Sequence, residues 1–106
     1  MTSGEPTIRS KIHVYGGRMI LAICDSELLG KTLDNDGIPF VISESFYGGP
    51  LIGKEECLRL LSEVGNVNLV GFRSVQIAIE GGFAKEESVR TIAGIPHIQI
   101  YSVKDM

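Results

Sequence analysis

The residues best suited to chemistry or recognition lie near the end of the chain, between Val89 and Val103, in VRTIAGIPHIQIYSV. Because side chains alternate across a β-strand, His97, Gln99 and Tyr101 share one face of a strand whose other face is aliphatic. An imidazole, an amide and a phenol on one face can bind a polar ligand or stack on an unpaired base. The segment therefore predicts a recognition surface, although His97 equally fits a surface histidine that bonds to the backbone.

A second segment carries a matching set of side chains. From Ile8 to Tyr15 apolar and polar residues alternate, which is typical of a half-buried strand. If the first and last strands lie side by side, both sets join on one face, where rings stack on bases and cations reach phosphate. This face is the predicted site for RNA or a ribosomal particle, and its members on the first strand are Arg9, Lys11, His13 and Tyr15.

Other site chemistries find little support in the sequence. The two histidines and two cysteines do not form a pair with zinc-ligand spacing, so we expect no metal ion. No G-x-S-x-G motif is present, and Cys24 and Cys57 lie in apolar segments, which predicts buried, reduced thiols. Asp25 and Glu44 are interpreted as a helix cap and a solvated carboxylate at a strand end. No catalytic residue is assigned.

The stretch GGPLIGK, from Gly48 to Lys54, has the spacing of a phosphate-binding loop. Glu55 follows where a hydroxyl would bind magnesium, and Pro50 removes a backbone N–H that would contact phosphate. We therefore predict a strand-to-helix connection and no nucleotide cofactor. Binding of some phosphate group at the start of the helix stays an alternative.

Composition limits the class of protein. With 106 residues, 43% hydrophobic and 22% charged, the chain is expected to form one domain over residues 8–104 after a flexible tail, residues 1–7. The tail lacks the apolar core of a secretory signal and no apolar run is long enough to span a membrane, so we expect a cytoplasmic protein. A net charge of -3 argues against bulk electrostatic binding of nucleic acid, so RNA contacts must be local.

The periodicity of the chain predicts an α+β fold with a small mixed sheet. Gly16 and Gly17 predict an N-terminal β-hairpin, whose second strand is apolar enough to be covered on both faces. Two amphipathic helices pack on the sheet, and a short helix follows Asp25 and Ser26. The predicted elements are strands over 8–15, 18–24 and 38–46, helices over 54–64 and 71–80, and a C-terminal strand.

Four blocks of the chain resemble an archaeal family catalogued as domain of unknown function 424. They are CDSELLGKT, SESFYGG, NLVG and AGIPHIQ, beginning at residues 24, 43, 68 and 93. The resemblance implies a single-domain cytosolic protein linked with RNA and translation, with no established reaction. The block positions carried over, with unknown roles, are Tyr47, Gly48, Gly49 and Pro96, together with His97 and Gln99.

Three functions are compared on this basis. A non-catalytic factor that binds RNA or associates with the ribosome is favoured. VRTIAGIPHIQI is also similar to a run near the active site of archaeal-type peptidyl-tRNA hydrolases, but a threonine is missing and His97 and Ile98 break the spacing. A hydrolase of a tRNA-linked substrate would enclose His97 in a pocket with a carboxylate, whereas a protein interaction module would expose an apolar patch.

Overall fold

A computed structural model describes residues 7–101. The expected tail up to residue 6, and the end of the predicted domain beyond residue 101, lie outside the described residues. The strands are β1 (Ile8–Tyr15), β2 (Arg18–Asp25), β3 (Thr32–Asn35), β4 (Ile38–Val41), β5 (Leu51–Ile52), β6 (Asn66–Val70), β7 (Arg90–Ile92) and β8 (Ile95–Tyr101). The α-helices are α1 (Glu44–Tyr47), α2 (Lys54–Glu63) and α3 (Phe72–Glu80).

Six of these strands form one mixed sheet in the order β5-β1-β2-β6-β8-β7, and β3 and β4 form a separate hairpin. β2 and β6 are parallel, and the other neighbours are antiparallel. The predicted α+β fold with an N-terminal hairpin, a mixed sheet and C-terminal strands is confirmed. The expectation that the first and last strands lie side by side is wrong, because β2 and the unpredicted strand β6 separate β1 from β8.

The N-terminal hairpin forms as its sequence predicts. Gly16 and Gly17 have φ angles of 54° and 82°, the left-handed values that a tight primed turn requires. This turn pairs Tyr15 with Arg18 and sets the register of the whole hairpin. β2 is buried from Leu21 to Asp25, as expected of a central strand.

One face of the sheet, here called the helix-covered face, packs against α2 and α3. Its core contains aliphatic residues from β2, β6 and β8 and the apolar stripes of both helices. The predicted bounds of these helices agree with the structure to within one residue. Phe72 is 60% exposed, because it is the first residue of α3 and lies outside the buried stripe.

The buried carboxylate of Asp25 joins β2 to the start of α3. It accepts hydrogen bonds from the Arg73 N–H at 3.0 Å, and from the Ser74 N–H and Oγ at 2.8 and 2.7 Å. Gly71 has a φ of 120° and leaves no room for a Cβ beside this carboxylate. Asp25 therefore caps α3 and not the predicted helix after Ser26, where the chain makes one 3-10 turn, Ser26–Leu28.

The opposite face, here called the hairpin-covered face, has a smaller cover made of α1 and the hairpin of β3 and β4. The strand predicted over residues 38–46 ends at Val41, and Ser43 then caps α1 by accepting a bond from the Phe46 N–H at 3.2 Å. The buried residues beneath this cover are Ala22, Cys24, Leu28, Ile42, Tyr47 and Val70. The cover is short, so it hides only the end of the face near Cys24 and Val70.

Both cysteines are buried free thiols, as predicted. Cys24 lies on the hairpin-covered face of the sheet, and Cys57 lies on the side of α2 that packs against the helix-covered face. The sheet therefore separates the two thiols. Burial raises the pKa of Cys24 to about 11 and that of Cys57 to about 12. Within residues 7–101, none of the helices has the length and apolarity needed to cross a membrane.

Candidate recognition surface

The two predicted sets of side chains project from the same face of the sheet, although their strands are not neighbours. Lys11 lies opposite Ala22, which lies opposite Asn68, which lies opposite Gln99. Residues directly opposite on paired strands point to the same side, so Lys11 and Gln99 share the hairpin-covered face. The register of four strands thus brings together residues about 90 positions apart.

Half of this face remains uncovered, and we call it the open face. Tyr15 and Tyr101 are 59% and 65% exposed on it. None of its strand residues is acidic, so its two cations are not neutralised within it. The members of the open face are Lys11, Tyr15, Arg18, Ile20, Asn66, Asn68, Gln99 and Tyr101.

Sequence reasoning missed four members of the open face: Arg18, Ile20, Asn66 and Asn68. Arg18 begins a strand that the sequence predicts to be covered on both faces. The two asparagines alternate with Val67 and Leu69 in β6, and this period-two pattern could have revealed the strand. The segment is only five residues long and precedes a helix directly, which makes its pattern weak.

Arg18 and Tyr101 connect the hairpin turn to the far side of the open face. Arg18 Nη1 donates a hydrogen bond to the Tyr101 hydroxyl at 3.1 Å. Both side chains are exposed, so the bond contributes little to stability. It does orient the Tyr101 ring beside a cation.

His13 and Arg9, from the predicted set, mainly fasten the cover. His13 Nε2 lies 2.9 Å from the Phe46 carbonyl oxygen, and its ring stacks on Phe46 with centroids 4.7 Å apart. On its other side the His13 ring is parallel to Tyr15 at 6.0 Å. Arg9 Nη1 donates to the Gly49 carbonyl at 3.0 Å. These two residues therefore border the open face and do not lie on it.

The block positions of the resemblance have structural roles. Burial raises the pKa of Tyr47 to about 12, and this ring packs beneath α1. A Cβ on Gly49 would overlap the Ser10 carbonyl, and one on Gly48 would overlap the Glu44 carbonyl. The glycines let the chain cross the edge of β1 closely before it forms β5.

The stretch that resembles a phosphate-binding loop is thus a tight crossing followed by an edge strand. β5 pairs with β1, and α2 begins at Lys54, whose ammonium is 3.2 Å from a carboxylate oxygen of exposed Glu80. Pro96, the remaining block position, accepts a hydrogen bond from the Gly71 N–H at 2.9 Å and so helps to place the start of α3.

His97 lies in a polar cleft at the covered end of the face. Its ring meets Phe40 edge-on, with centroids 5.1 Å apart. Desolvation and the positive charge of Arg90 lower the pKa of His97, which favours the neutral imidazole. The cleft has a volume of about 900 Å³ and is lined in part by Asp36, Phe40, Glu87, Arg90, His97 and Gln99.

The cleft meets only part of what a hydrolase requires. It encloses His97 and has carboxylates in its lining, yet among residues 7–101 no carboxylate forms a hydrogen bond or ion pair with this imidazole. The charge that acts on His97 is the cation of Arg90. A general base oriented by a carboxylate is therefore not assembled here.

An exposed apolar patch lies at the tip of the N-terminal hairpin, on the side opposite the open face. We call it the hairpin patch, and it consists of Ile12, Val14 and Met19, which are 42%, 64% and 37% exposed. The two helices do not reach it. Elsewhere in the described part of the chain, no three potential ligands cluster closely enough to hold a metal ion.

Fold and surface together define a small α+β protein whose mixed sheet is packed by helices on one face and partly open on the other. The family model described as "Protein of unknown function (DUF424)" matches residues 13–103, and the chain belongs to this family. The crystal structure of an uncharacterized conserved protein from Methanopyrus kandleri is similar, with a TM-score of 0.77 and 28% identity over 89% of this chain and 90% of that chain. No curated protein matches the chain.

Proposed function

We propose that the protein binds single-stranded RNA on the open face, without catalysis, as a cytoplasmic factor associated with the ribosome or with translation. The observation that carries the proposal is the composition of this face. Two exposed phenol rings, three amides and two cations share it, and its strands contribute no carboxylate. Open sheet faces with exposed rings suit unpaired bases, which stack on the rings and present their edges to amides.

Each kind of side chain has a separate task in this proposal. Tyr15 on β1 and Tyr101 on β8 stack on bases from the two sides of the open face. Asn68 and Gln99, paired across β6 and β8, offer both donors and acceptors to base edges. Lys11 and Arg18 contact phosphate. Arg18 also orients the Tyr101 ring through the bond to its hydroxyl, so base and backbone contacts are coupled there.

The cleft at His97 extends the open face, because Gln99 belongs to both. The neutral imidazole and the Phe40 ring offer a surface for one further base, and Arg90 supplies a cation for its phosphate. A hydrolase is not proposed, since His97 lacks a carboxylate partner among the described residues.

The small number of cations predicts a weak dependence on salt. For single strands, each neutralised phosphate contributes about -0.7 to the slope of log K against log salt concentration. Contacts from Lys11, Arg18 and Arg90 therefore give a slope of about -2. This value agrees with a protein of net charge -3, in which stacking provides most of the affinity.

Fluorescence anisotropy with a labelled single-stranded RNA of mixed sequence tests the proposal at fixed salt. Tyr15→Ala and Tyr101→Ala should each weaken binding roughly 5- to 150-fold, since a stacked base contributes about 1 to 3 kcal/mol. Tyr101→Phe keeps the ring and should lose much less. Phe72→Ala, which removes an equally exposed ring from α3, is the matched control and should bind like wild type.

Co-sedimentation with ribosomal particles provides a second readout for the same variants. The proposal is wrong if wild type binds neither RNA nor ribosomal particles. It is also wrong if both tyrosine variants bind as tightly as Phe72→Ala, because the face would then be ordinary sheet surface.

A further inference from the structure

The outer edge of β1 is only partly paired. β5 covers Ile8 and Arg9, and the Ser10 N–H donates to the Pro50 carbonyl at 3.1 Å. From Lys11 to Tyr15 this edge has no strand partner among residues 7–101. Outward-facing N–H and C=O groups alternate along an antiparallel strand, so beyond Ser10 they belong to Ile12 and Val14.

The free backbone groups coincide with the hairpin patch. Ile12 and Val14 have outward backbone groups and exposed apolar side chains, and Met19 lies beside Val14 on β2. An edge with unpaired backbone groups and apolar side chains is where a further strand adds to a sheet. The occupant must therefore be an extended segment with apolar residues at alternate positions.

We propose that this occupant is β1 of a second copy of the chain, paired antiparallel about a two-fold axis near Val14. The chain itself presents such a segment, with apolar side chains and free backbone groups at the same residues. The other outer edge of the sheet is β7, where Arg90 and Thr91 are exposed and polar. Pairing β1 of one copy with β7 of another would place apolar residues opposite polar ones. It would also leave one β1 and one β7 edge unpaired at the ends, so that copies would add into a filament, whereas pairing of β1 with β1 closes as a dimer.

Steric and charge constraints fix the register. Pro50 occupies the position beside Ser10, so the added strand must end before it. An axis at Val14 satisfies this, because His13 to Tyr15 of the two copies then pair, and the turn residues Gly16 and Gly17 of one copy lie beside Ile12 and Lys11 of the other. The two Val14 residues exchange backbone hydrogen bonds, and Lys11 faces a glycine, so no like charges oppose each other.

The dimer would place both open faces on the same side of a continuous sheet, because residues opposite each other on paired strands point the same way. The pairing itself does not depend on RNA binding. Its test therefore uses the protein alone.

Cross-linking tests the register directly. Val14→Cys introduces an accessible thiol, whereas Cys24 and Cys57 are buried and their pKa values are raised. A short bis-maleimide should convert Val14→Cys into covalent dimers. Val41→Cys is the matched control, since Val41 is a valine 53% exposed on β4, and it should remain monomeric.

Analytical ultracentrifugation over a concentration series provides the second measurement. Wild type should show a monomer–dimer equilibrium, and Val14→Asp should raise the dimer dissociation constant about 100-fold, whereas Val41→Asp should leave it unchanged. Wild type that stays monomeric at all concentrations overturns the proposal, as does equal cross-linking of the two cysteine variants. A dimer that Val14→Asp leaves intact would use another surface and would also overturn it.

Discussion

The two faces of the sheet use the same strands but differ in what covers them. On β6, Leu69 points to the helix-covered face and is fully buried, whereas its neighbour Asn68 points to the other face and is half-buried. Helices α2 and α3 are nine or ten residues long and require aliphatic partners along the strands. The cover of the other face has strands of four residues and one turn of helix, so polar residues remain at its open end.

The covers are also attached to the sheet by different contacts. The start of α3 is held by the buried carboxylate of Asp25, which accepts three hydrogen bonds. Gly71 lies against this carboxylate, where a side chain would not fit. α1 is held by the Ser43 cap and by the half-buried contact of His13 with Phe46. The helix-covered face therefore holds the larger buried core, whereas the hairpin-covered face has a smaller core and polar side chains at its open end.

The largest expected effect is at the attachment of α3. Asp25→Ala leaves the N–H groups of Arg73 and Ser74 and the Ser74 hydroxyl without their acceptor, in a buried site. We expect the free energy of unfolding to fall by about 3 to 4 kcal/mol, measured by urea denaturation.

Glu27→Gln is the control for this change. Glu27 also pairs with Arg73, but both side chains are largely exposed, so the loss should stay below about 1 kcal/mol. Equal losses for Asp25→Ala and Glu27→Gln would show that the capping contact does not support the fold.

Truncation of neighbouring residues on β6 compares the two faces directly. Leu69→Ala removes a fully buried side chain from the helix-covered face and should cost about 2 to 5 kcal/mol. Asn68→Ala lies on the open face and should change stability by less than about 1 kcal/mol, although it should weaken RNA binding. Urea denaturation of both variants checks this difference, and a reversed order of the two losses would contradict the assignment of the faces.

The smallest expected effect is a difference in how often each cover opens locally, which the reaction rates of the two cysteines measure. Neither thiol should react with a disulfide reagent at neutral pH within minutes, because both are buried and their pKa values are raised. Cys24, under the short cover, should nevertheless react before Cys57, since smaller packed units open at lower free energy. Single Cys→Ser variants assign the rates, and faster reaction of Cys57 would show that the helices are the looser cover.

The sequence by itself determined the local elements with strong patterns. Alternation and the two glycines specified the first hairpin, and the amphipathic stripes specified α2 and α3. Strand β6 was missed because five residues between a helix and a glycine carry little periodicity. The strand predicted over residues 38–46 ends at Val41 because Ser43 caps helix α1. This cap depends on one local hydrogen bond, from the Phe46 N–H to the Ser43 hydroxyl.

The alternation also determined which side chains share a face within each strand, since neighbouring residues of a strand point to opposite sides. Only the tertiary structure decided how those faces combine. The first and last strands do not lie side by side as expected, yet Lys11 and Gln99 still lie on one side, because each strand pairing keeps opposed residues on the same face. Which half of that face stays open depends on where the short cover docks, and those contacts join segments far apart in the chain.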